Sequence, residues 1–350
     1  MSNSYPTSTL DSALEIPANT LLSVRNLQTH FFSREGTVKA VDGVTFDVKQ
    51  GEILGIAGES GCGKSVTSQS IMRILPKNAK IVGGEILYNH QGQFIDLTTV
   101  EPDGKMIRGI RGKEIAMIFQ EPMTAFSPVH TIGNQIIETI RIHQPMSQEE
   151  ARAKAIEMLY RVGMPNPGRN IDQYTFNLSG GMRQRAMVAL ALSCQPKLLI
   201  ADEPTTAVDV TIQAQILRLL REIQADLGMA IIMITHDLGV IAELTDRVLI
   251  MYLGKEVEYG PVKNVFHHPR HPYTRGLLAS IPKMVPGRIE IEPIEGSVPS
   301  PYAMPTGCKF HPRCRDFMRG VCEVSEPPLI PIAPGHEVSC YLYGGREERA

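Results

Sequence analysis

Hydrophobic and polar positions follow two different patterns in the strand-forming parts of the chain. Between Leu21 and Glu52 apolar and polar residues alternate and glycines interrupt them, which is typical of short antiparallel strands. The segment Ile53–Ala57 is continuously apolar, as are Leu198–Ala201 and Ala230–Thr235. Such runs are typical of parallel strands that are buried on both faces. The sequence therefore predicts an α/β fold with a parallel core sheet and an antiparallel part.

Apolar residues recur at helical spacing elsewhere in the chain. They do so in Ile132–His143, Gln148–Val162 and Gly181–Cys194, and again in Ile212–Leu227. The first three segments lie between the predicted core strands. We therefore predict a helical subdomain at about residues 121–195, inserted into the α/β core.

The two ends of the chain differ from the region between them. Residues 1–19 are rich in Ser, Thr and Pro and predict a flexible tail. Prolines crowd the chain after Phe266 and the periodicity fades. We predict one domain at residues 20–265 and a small irregular C-terminal extension at residues 266–350.

Charge and hydropathy exclude some classes of protein. The net charge of −2 disfavours nucleic-acid binding, which usually needs a basic surplus or stripe. No apolar run approaches the roughly 18 residues of a membrane-spanning helix. The first basic residue is Arg25, so the chain lacks the basic start and apolar stretch of a secretory signal. These features predict a cytoplasmic protein that could dock on a membrane protein.

A glycine-rich loop follows the first apolar strand. Gly58–Ser65 reads G-E-S-G-C-G-K-S and lies between Ile53–Ala57 and a predicted helix at Ser65–Ile74. In such a loop the backbone N–H groups surround phosphate oxygens, Lys64 neutralises phosphate charge and the Ser65 hydroxyl binds Mg²⁺. A chance glycine-rich turn is the alternative, but strand and helix flank the loop in the required order. The sequence predicts a phosphate-binding loop for ATP.

Acidic and basic side chains follow the other two apolar strands. Asp202 and Glu203 come at the end of one strand, and His236 follows the next. Phosphoryl transfer to water requires an anion for the metal and a group that orients the attacking water. We predict that Asp202 holds Mg²⁺ and Glu203 polarises the water. A histidine after a strand is usually structural, but the neighbouring strand ends favour a place for His236 near the γ-phosphate.

A second candidate phosphate site opens a later helix. The segment Leu178–Arg185 reads L-S-G-G-M-R-Q-R, so Ser-Gly-Gly lies at the positive N-terminal end of the predicted helix. A single ATP site does not need two such loops. A dimer does, if the loop of one subunit closes over the ATP of the other.

In this order the motifs identify a family resemblance. Over about residues 21–261 the chain resembles the ATP-binding subunits of ABC transporters, with Walker A at Gly58–Ser65, the signature motif at Leu178–Met182 and Walker B at Leu198–Glu203. The resemblance implies a P-loop NTPase fold with a RecA-like core, an antiparallel β subdomain and a helical insert. It also implies ATP hydrolysis in a nucleotide-sandwich dimer.

Further residues match family motifs one by one. Phe31 matches the aromatic that stacks on adenine, with Phe32 a near competitor. Gln120 matches the glutamine that senses Mg²⁺ and the membrane subunit, and His236 matches the switch histidine. Asp209 matches the aspartate of the D-loop, although Val208 replaces the commoner leucine.

The resemblance thus implies catalytic roles for Glu203, His236, Gln120 and Lys64, and Mg²⁺ contacts from Ser65, Gln120 and Asp202. The residues expected to bind nucleotide are Phe31, Gly58, Glu59, Ser60, Gly61, Cys62, Gly63, Lys64, Ser65, Val66, Gln120, Asp202, Asp209 and the signature residues Ser179, Gly180 and Gly181.

Longer stretches are similar to one branch, the oligopeptide and dipeptide importers. These are Glu121–Pro128, Gly133–Ile140 and His271–Leu278. The branch implies two integral-membrane permeases, an extracytoplasmic solute-binding protein and often a second, different ATPase subunit, at the cytoplasmic face of the plasma membrane. Relatives in the branch carry nickel, glutathione or sugars, so the cargo stays open.

The resemblance also favours a permease-docking surface just after Gln120. Phe126, Val129 and Ile132 lie in this segment. For each of them singly, packing of the helical insert is the better explanation, and the resemblance favours docking for the segment as a whole.

Four cysteines cluster near the C-terminus, at Cys308, Cys314, Cys322 and Cys340. Four thiolates can hold zinc or an iron–sulfur cluster, and the spacing matches neither a C-x2-C zinc ribbon nor a C-x2-C-x2-C ferredoxin. His311 and His336 are rival ligands. The resemblance favours a structural [4Fe-4S] cluster, and the alternative is four unliganded cysteines.

Two other classes of protein fit the sequence less well. A soluble ABC ATPase of DNA repair or translation often has tandem ATPase halves or a coiled coil between Gln120 and Leu178, where this chain has only a short segment and no basic stripe. An iron–sulfur redox protein with an accessory P-loop would leave the signature motif unexplained.

Overall fold

The fold comes from a computed structural model, which describes residues 16–120, 125–205, 209–281, 283–285, 288–290 and 292–344. The tail prediction therefore falls mostly outside the described residues, as do Glu121–Thr124 and the first part of the D-loop. Among the described helices none is both long enough and apolar enough to cross a bilayer.

The described strands form two main sheets and one short antiparallel pair. An antiparallel sheet has the order β2-β1-β4-β5, and an eight-stranded sheet has the order β13-β14-β10-β9-β3-β8-β7-β6; β11 pairs with β12. The strands are β1 Thr20–Ser33, β2 Gly36–Lys49, β3 Ile53–Ala57, β4 Ala79–His90, β5 Gln93–Asp96, β6 Ile115–Ile118, β7 Leu198–Asp202, β8 Ala230–Ile234, β9 Arg247–Tyr252, β10 Lys255–Pro261, β11 Lys283–Val285, β12 Arg288–Glu290, β13 Leu329–Ala333 and β14 His336–Ser339.

Ten α-helices surround these sheets in the described part of the chain. They are α1 Lys64–Ile71, α2 Lys105–Ile110, α3 Ile132–His143, α4 Gln148–Arg161, α5 Pro167–Asn170, α6 Gly180–Leu192, α7 Val210–Leu227, α8 Leu238–Leu244, α9 Val262–His267 and α10 Pro272–Ala279. Short 3-10 turns lie at Thr175–Asn177 and His311–Arg313. The predicted helices and core strands are confirmed to within a few residues at their ends.

The centre of the large sheet is parallel. Strands β6, β7, β8, β3 and β9 run in the same direction, with Leu54 opposite both Ile232 and Arg247. Every residue of β3, β7 and β8 is buried, which explains their continuously apolar sequences. Because parallel strands end at one edge of a sheet, the segments that follow β3, β6, β7 and β8 meet there.

The helical subdomain packs around α3, α4 and α6. Their buried faces join one apolar core with β7 and α7, including Ile136, Leu159 and Met187. The side chains of Thr131 and Ser147 cap α3 and α4, the latter in a capping box with Glu150. Phe126 is 4% exposed and Ile132 fully buried, whereas Val129 is 73% exposed. Packing, the explanation preferred for each residue singly, is therefore confirmed for Phe126 and Ile132.

The C-terminal region shares the core sheet. Strand β14 pairs with β10 and β13 pairs with β14, so the two strands extend the sheet on the β10 side. Helix α10, which follows β10 in the sequence, packs through Tyr273 against Tyr252 and Phe310. Only part of this region is irregular, and its apolar contacts join it to the ATPase core.

Candidate functional site

The loop after β3 approaches its neighbours so closely that only glycine fits at two positions. A Cβ on Gly58 would lie 2.2 Å from the Met251 carbonyl oxygen, and one on Gly63 would lie 2.3 Å from that of Ala40. Both residues have positive φ angles, of 150° and 104°. The loop is therefore held against β9 and β2, with α1 starting at its end.

Lys64 lies inside this loop. Its ammonium donates hydrogen bonds to the Gly58 carbonyl at 2.8 Å and the Glu59 carbonyl at 3.1 Å, and the residue is 6% exposed. The ammonium also lies 3.6 Å from Cys62 Sγ. A buried lysine whose partners are all neutral is a favourable partner for an incoming phosphate. The geometry suits the predicted neutralisation of β- and γ-phosphate charge.

Ser65 and Asp202 meet across the sheet edge. The Ser65 hydroxyl donates to Asp202 Oδ1 at 3.1 Å, although the two residues are 137 positions apart. Burial raises the pKa of Asp202, while the hydrogen bond from Ser65 opposes that change. A buried carboxylate next to a hydroxyl is a hard-oxygen pair of the kind that Mg²⁺ prefers, and the ion's charge would offset the desolvation of Asp202. These residues fit the predicted metal site.

The backbone conformation of Glu203 directs its side chain toward the same edge of the sheet. Its φ of 48° lies in the left-handed region, which is strained for a non-glycine residue, and its N–H donates to the Ile234 carbonyl at 2.8 Å. One carboxylate oxygen accepts a hydrogen bond from Gln120 Nε2 at 2.9 Å. The other lies 3.2 Å from His236 Nδ1. The side chains that follow β6, β7 and β8 thus converge on one carboxylate.

The other residues predicted to bind nucleotide differ in how far they are exposed to solvent. Ser60 and Gly61 are exposed at the tip, and Val66 packs partly into the core. Cys62 is 2% exposed and burial raises the pKa of its thiol, which suits a packing residue rather than a nucleophile. In β1, Phe31 is half-buried and Phe32 is 44% exposed; the adenine-stacking role of Phe31 stays a prediction.

The signature residues lie in a different place from the P-loop. Ser179 caps α6 by accepting a hydrogen bond from the Met182 N–H, and a Cβ on Gly181 would lie 3.3 Å from Ile212. Ser179, Gly180, Gly181 and Asp209 line one open pocket. Neither Ser65 nor Asp202 lines this pocket.

Helix α6 also connects the signature motif to the strand that carries Glu203. The Gln184 side chain is 1% exposed and donates a hydrogen bond to the Pro204 carbonyl. A shift of α6 would therefore displace the backbone directly after Glu203. Nothing in the local sequence pattern indicated this contact.

Sequence reasoning also missed two residues that hold the P-loop from the C-terminal side. The Glu59 N–H donates to the Tyr273 hydroxyl at 2.8 Å. Arg313 donates two hydrogen bonds to the Glu59 carboxylate, at 2.7 and 3.0 Å. Arg313 is 254 positions from Glu59, so no local signal could have indicated the pair.

The four C-terminal cysteines are brought together. Cys308, Cys314, Cys322 and Cys340 line one cavity, which His311 also lines. Among the described residues no three His, Cys, Asp or Glu side chains lie close enough to hold a single metal ion, so the thiols surround the cavity rather than meet at one point. His336 is instead bound to Glu258 at 2.8 Å, 3% exposed, which makes it a poor rival ligand.

Burial favours the protonated form of three of these thiols. It raises the pKa of Cys314 to about 12 and that of Cys340 to about 11, and it raises the pKa of Cys308 as well. Thiolates in this cavity therefore require a cationic partner.

The fold and this edge of the sheet define a P-loop ATPase. Residues 41–206 match the ABC transporter family, and residues 257–322 match the oligopeptide/dipeptide transporter C-terminal region. The chain belongs to the ATP-binding subunits of ABC transporters and is an ATPase.

Close relatives cover nearly the whole chain. A probable peptide ABC transporter ATP-binding protein of Sinorhizobium fredii is 51% identical over 93% of this chain and 95% of its own length. The dipeptide transport ATP-binding protein DppD of Bacillus subtilis is 49% identical over 94% and 97%. Among solved structures, a dimeric ATP-binding cassette in a post-hydrolysis state with ADP and Pi is 25% identical, covers 69% of this chain and 99% of its own, and has a TM-score of 0.61.

Proposed function

We propose that the chain hydrolyses ATP to drive import of dipeptides or oligopeptides through two membrane permeases. One observation carries the proposal. The residues proposed for ATP hydrolysis occur in the same chain as a C-terminal region of the oligopeptide/dipeptide type, and that region begins within β10 of the same sheet. Relatives named for dipeptide and oligopeptide transport match over more than nine-tenths of the chain.

The geometry supports a division of roles at the sheet edge. Ser65 and Asp202 would hold Mg²⁺, which would neutralise charge that develops on the phosphates. Lys64 would exchange its two carbonyl partners for the β- and γ-phosphates. Glu203 would accept a proton from the attacking water, with Gln120 and His236 holding its two oxygens in place.

The signature pocket supports hydrolysis in a sandwich of two subunits. Ser179, Gly180 and Gly181 present the start of α6 to solvent, where the N–H groups and the helix dipole favour an anion. We propose that this surface closes on the γ-phosphate held by a second ATPase subunit, either another copy or a related chain. Asp209 lines the same pocket and would lie at the dimer contact.

We further propose that the chain works at the cytoplasmic face of the plasma membrane, bound to the permeases, with an extracytoplasmic solute-binding protein in the full complex. The test is affinity purification of the tagged chain from mildly solubilised native membranes, followed by mass spectrometry. Two multi-span permeases with a second ATPase or a solute-binding protein are expected. Ribosomal or DNA-repair partners without a membrane protein would overturn the transport proposal and leave the ATP site standing.

For the cysteine cavity we propose a [4Fe-4S] cluster with a structural role. Four thiols spread around a cavity suit a cluster better than a single zinc ion, whose four sulfur ligands lie about 2.3 Å from one point. Anaerobically purified protein should contain iron and acid-labile sulfide in equal amounts, and Cys322→Ser should lose both. Zinc in place of iron would contradict the proposal.

A further inference from the structure

The first half of the P-loop is held by residues from the C-terminal region. Tyr273, fully buried on α10, accepts a hydrogen bond from the Glu59 N–H at 2.8 Å. Arg313, in the turn His311–Arg313, binds both oxygens of the Glu59 carboxylate. One P-loop residue is therefore fixed at its backbone and its side chain, in each case by a group more than 200 positions away.

The Arg313 guanidinium is itself held from several sides. Its Nε donates to the Glu295 carbonyl at 3.1 Å, and one terminal nitrogen also lies 3.3 Å from the Tyr252 hydroxyl. Its Cζ lies 5.9 Å from the centre of the Tyr252 ring and 6.0 Å from that of Phe310. The Arg313 side chain is 5% exposed, against 26% for Glu59. A guanidinium with so many partners is a fixed point to which the loop is attached.

This ion pair bears directly on nucleotide binding. Glu59 follows Gly58 in the phosphate loop, and its carbonyl already accepts a hydrogen bond from Lys64. A carboxylate at this position would repel a triphosphate unless a cation compensated it. A bidentate arginine cancels that charge and fixes the carboxylate at the same time. Removing Arg313 alone would leave the Glu59 carboxylate without a compensating charge. For a pair with little exposure, this is less favourable in free energy than removing both charges.

We propose that Arg313 is a positioning residue for ATP binding: it neutralises Glu59 and, together with Tyr273, holds the P-loop in the form that accepts the triphosphate. The C-terminal region thereby sets the affinity of the ATP site. This inference depends on the ATPase activity of the family and not on the transported solute, so it stands or falls separately from peptide transport.

The test compares three variants of the full chain with the wild type for Mg-ATP binding and ATPase kinetics. Arg313→Ala should raise the Kd and KM for ATP roughly tenfold, which corresponds to about 1.4 kcal/mol, with kcat changed much less. Glu59→Gln with Arg313→Ala should recover most of the lost affinity, because no uncompensated carboxylate is left. Arg315→Ala is the matched control, since Arg315 pairs with Glu295 on the exposed surface and does not contact the loop.

The outcomes separate positioning from a general loss of structure. A destabilised chain would lose kcat in proportion to its folded fraction, and the double variant would be no better than Arg313→Ala. Unchanged affinity in Arg313→Ala, or an equally weak double variant, overturns the proposal. If Arg313→Ala does not fold, Arg313→Lys decides: it keeps the charge, loses the bidentate contact and should weaken ATP binding about threefold, and wild-type affinity in that variant overturns the proposal.

Discussion

Replacing Glu203 with glutamine removes the proposed base and keeps the shape of the site. The amide oxygen of the new side chain can accept the hydrogen bond from Gln120, now 2.9 Å from one carboxylate oxygen, and the amide nitrogen can face His236 Nδ1. Glutamine also tolerates the same turn at the end of β7. The variant should therefore fold and bind Mg-ATP like the wild type.

The expected loss follows from what the amide cannot do. A positioned general base contributes roughly 10²- to 10⁴-fold to a rate, or about 3 to 5 kcal/mol of barrier. Because Gln120 and His236 stay in place, the substitution should remove the contribution of the general base to the rate and change little else. We expect the ATPase rate of Glu203→Gln to fall at least about a hundredfold, with the Kd for ATP within about twofold of wild type.

The assay is phosphate release at saturating Mg-ATP, with ATP binding and the oligomeric state measured on the same samples. The variant should accumulate as an ATP-bound dimer, since closure no longer leads to hydrolysis. Glu222→Gln, on the exposed side of α7, is the matched control and should hydrolyse like the wild type. A rate above one-tenth of wild type in Glu203→Gln, with normal ATP binding, would refute the role of Glu203 as base.

Three further predictions follow from the same geometry. Asp202→Asn should abolish Mg²⁺-dependent hydrolysis. In the wild type, burial raises the pKa of Asp202, so protons compete with the metal for its carboxylate. The Mg²⁺ concentration needed for half-maximal ATPase activity should therefore rise as the pH falls. Ser179→Ala should lower dimer ATPase roughly tenfold or more and leave ATP binding unchanged, whereas Ser147→Ala, which removes a comparable helix cap, should not affect hydrolysis. Burial lowers the pKa of His271 to about 4, so its contribution to stability is complete above about pH 6.5 and is lost as the pH falls toward 4. Between pH 7.5 and pH 5 the free energy of unfolding of the wild type should fall by about 2 kcal/mol because of this group. His271→Asn can still accept the hydrogen bond from the Tyr273 N–H and should show no such fall. Thermal unfolding of both proteins at the two pH values checks this.

The motifs of the ATP site could be predicted because each lies on a short, continuous stretch with a clear periodicity around it. The loop Gly58–Ser65 has an apolar strand before it and a helix after it, and Glu203 directly follows a buried strand. Parallel strands end at one edge, so the meeting of Ser65 with Asp202 follows once the strands are recognised. The left-handed φ of Glu203 had no sequence signal, since glycine is the residue that usually marks such a turn.

The contacts of the C-terminal region could not be predicted in the same way. Strands β13 and β14 are five and four residues long and lie among prolines, and β14 finds its partner in β10, some 80 positions earlier. Pairing at such distance depends on the whole fold and leaves no local pattern. His336 illustrates the limit, since its place near the cysteines in the sequence suggested a ligand, while the fold places it on Glu258.

The most direct test of the account is uptake of labelled dipeptides and oligopeptides by cells that lack this chain. Complementation with the wild-type chain should restore uptake, and Glu203→Gln, expressed to the same level, should not. Uptake restored equally by Glu203→Gln would contradict hydrolysis as the driving step. Restored uptake of another solute, with no effect on peptides, would contradict the proposed cargo.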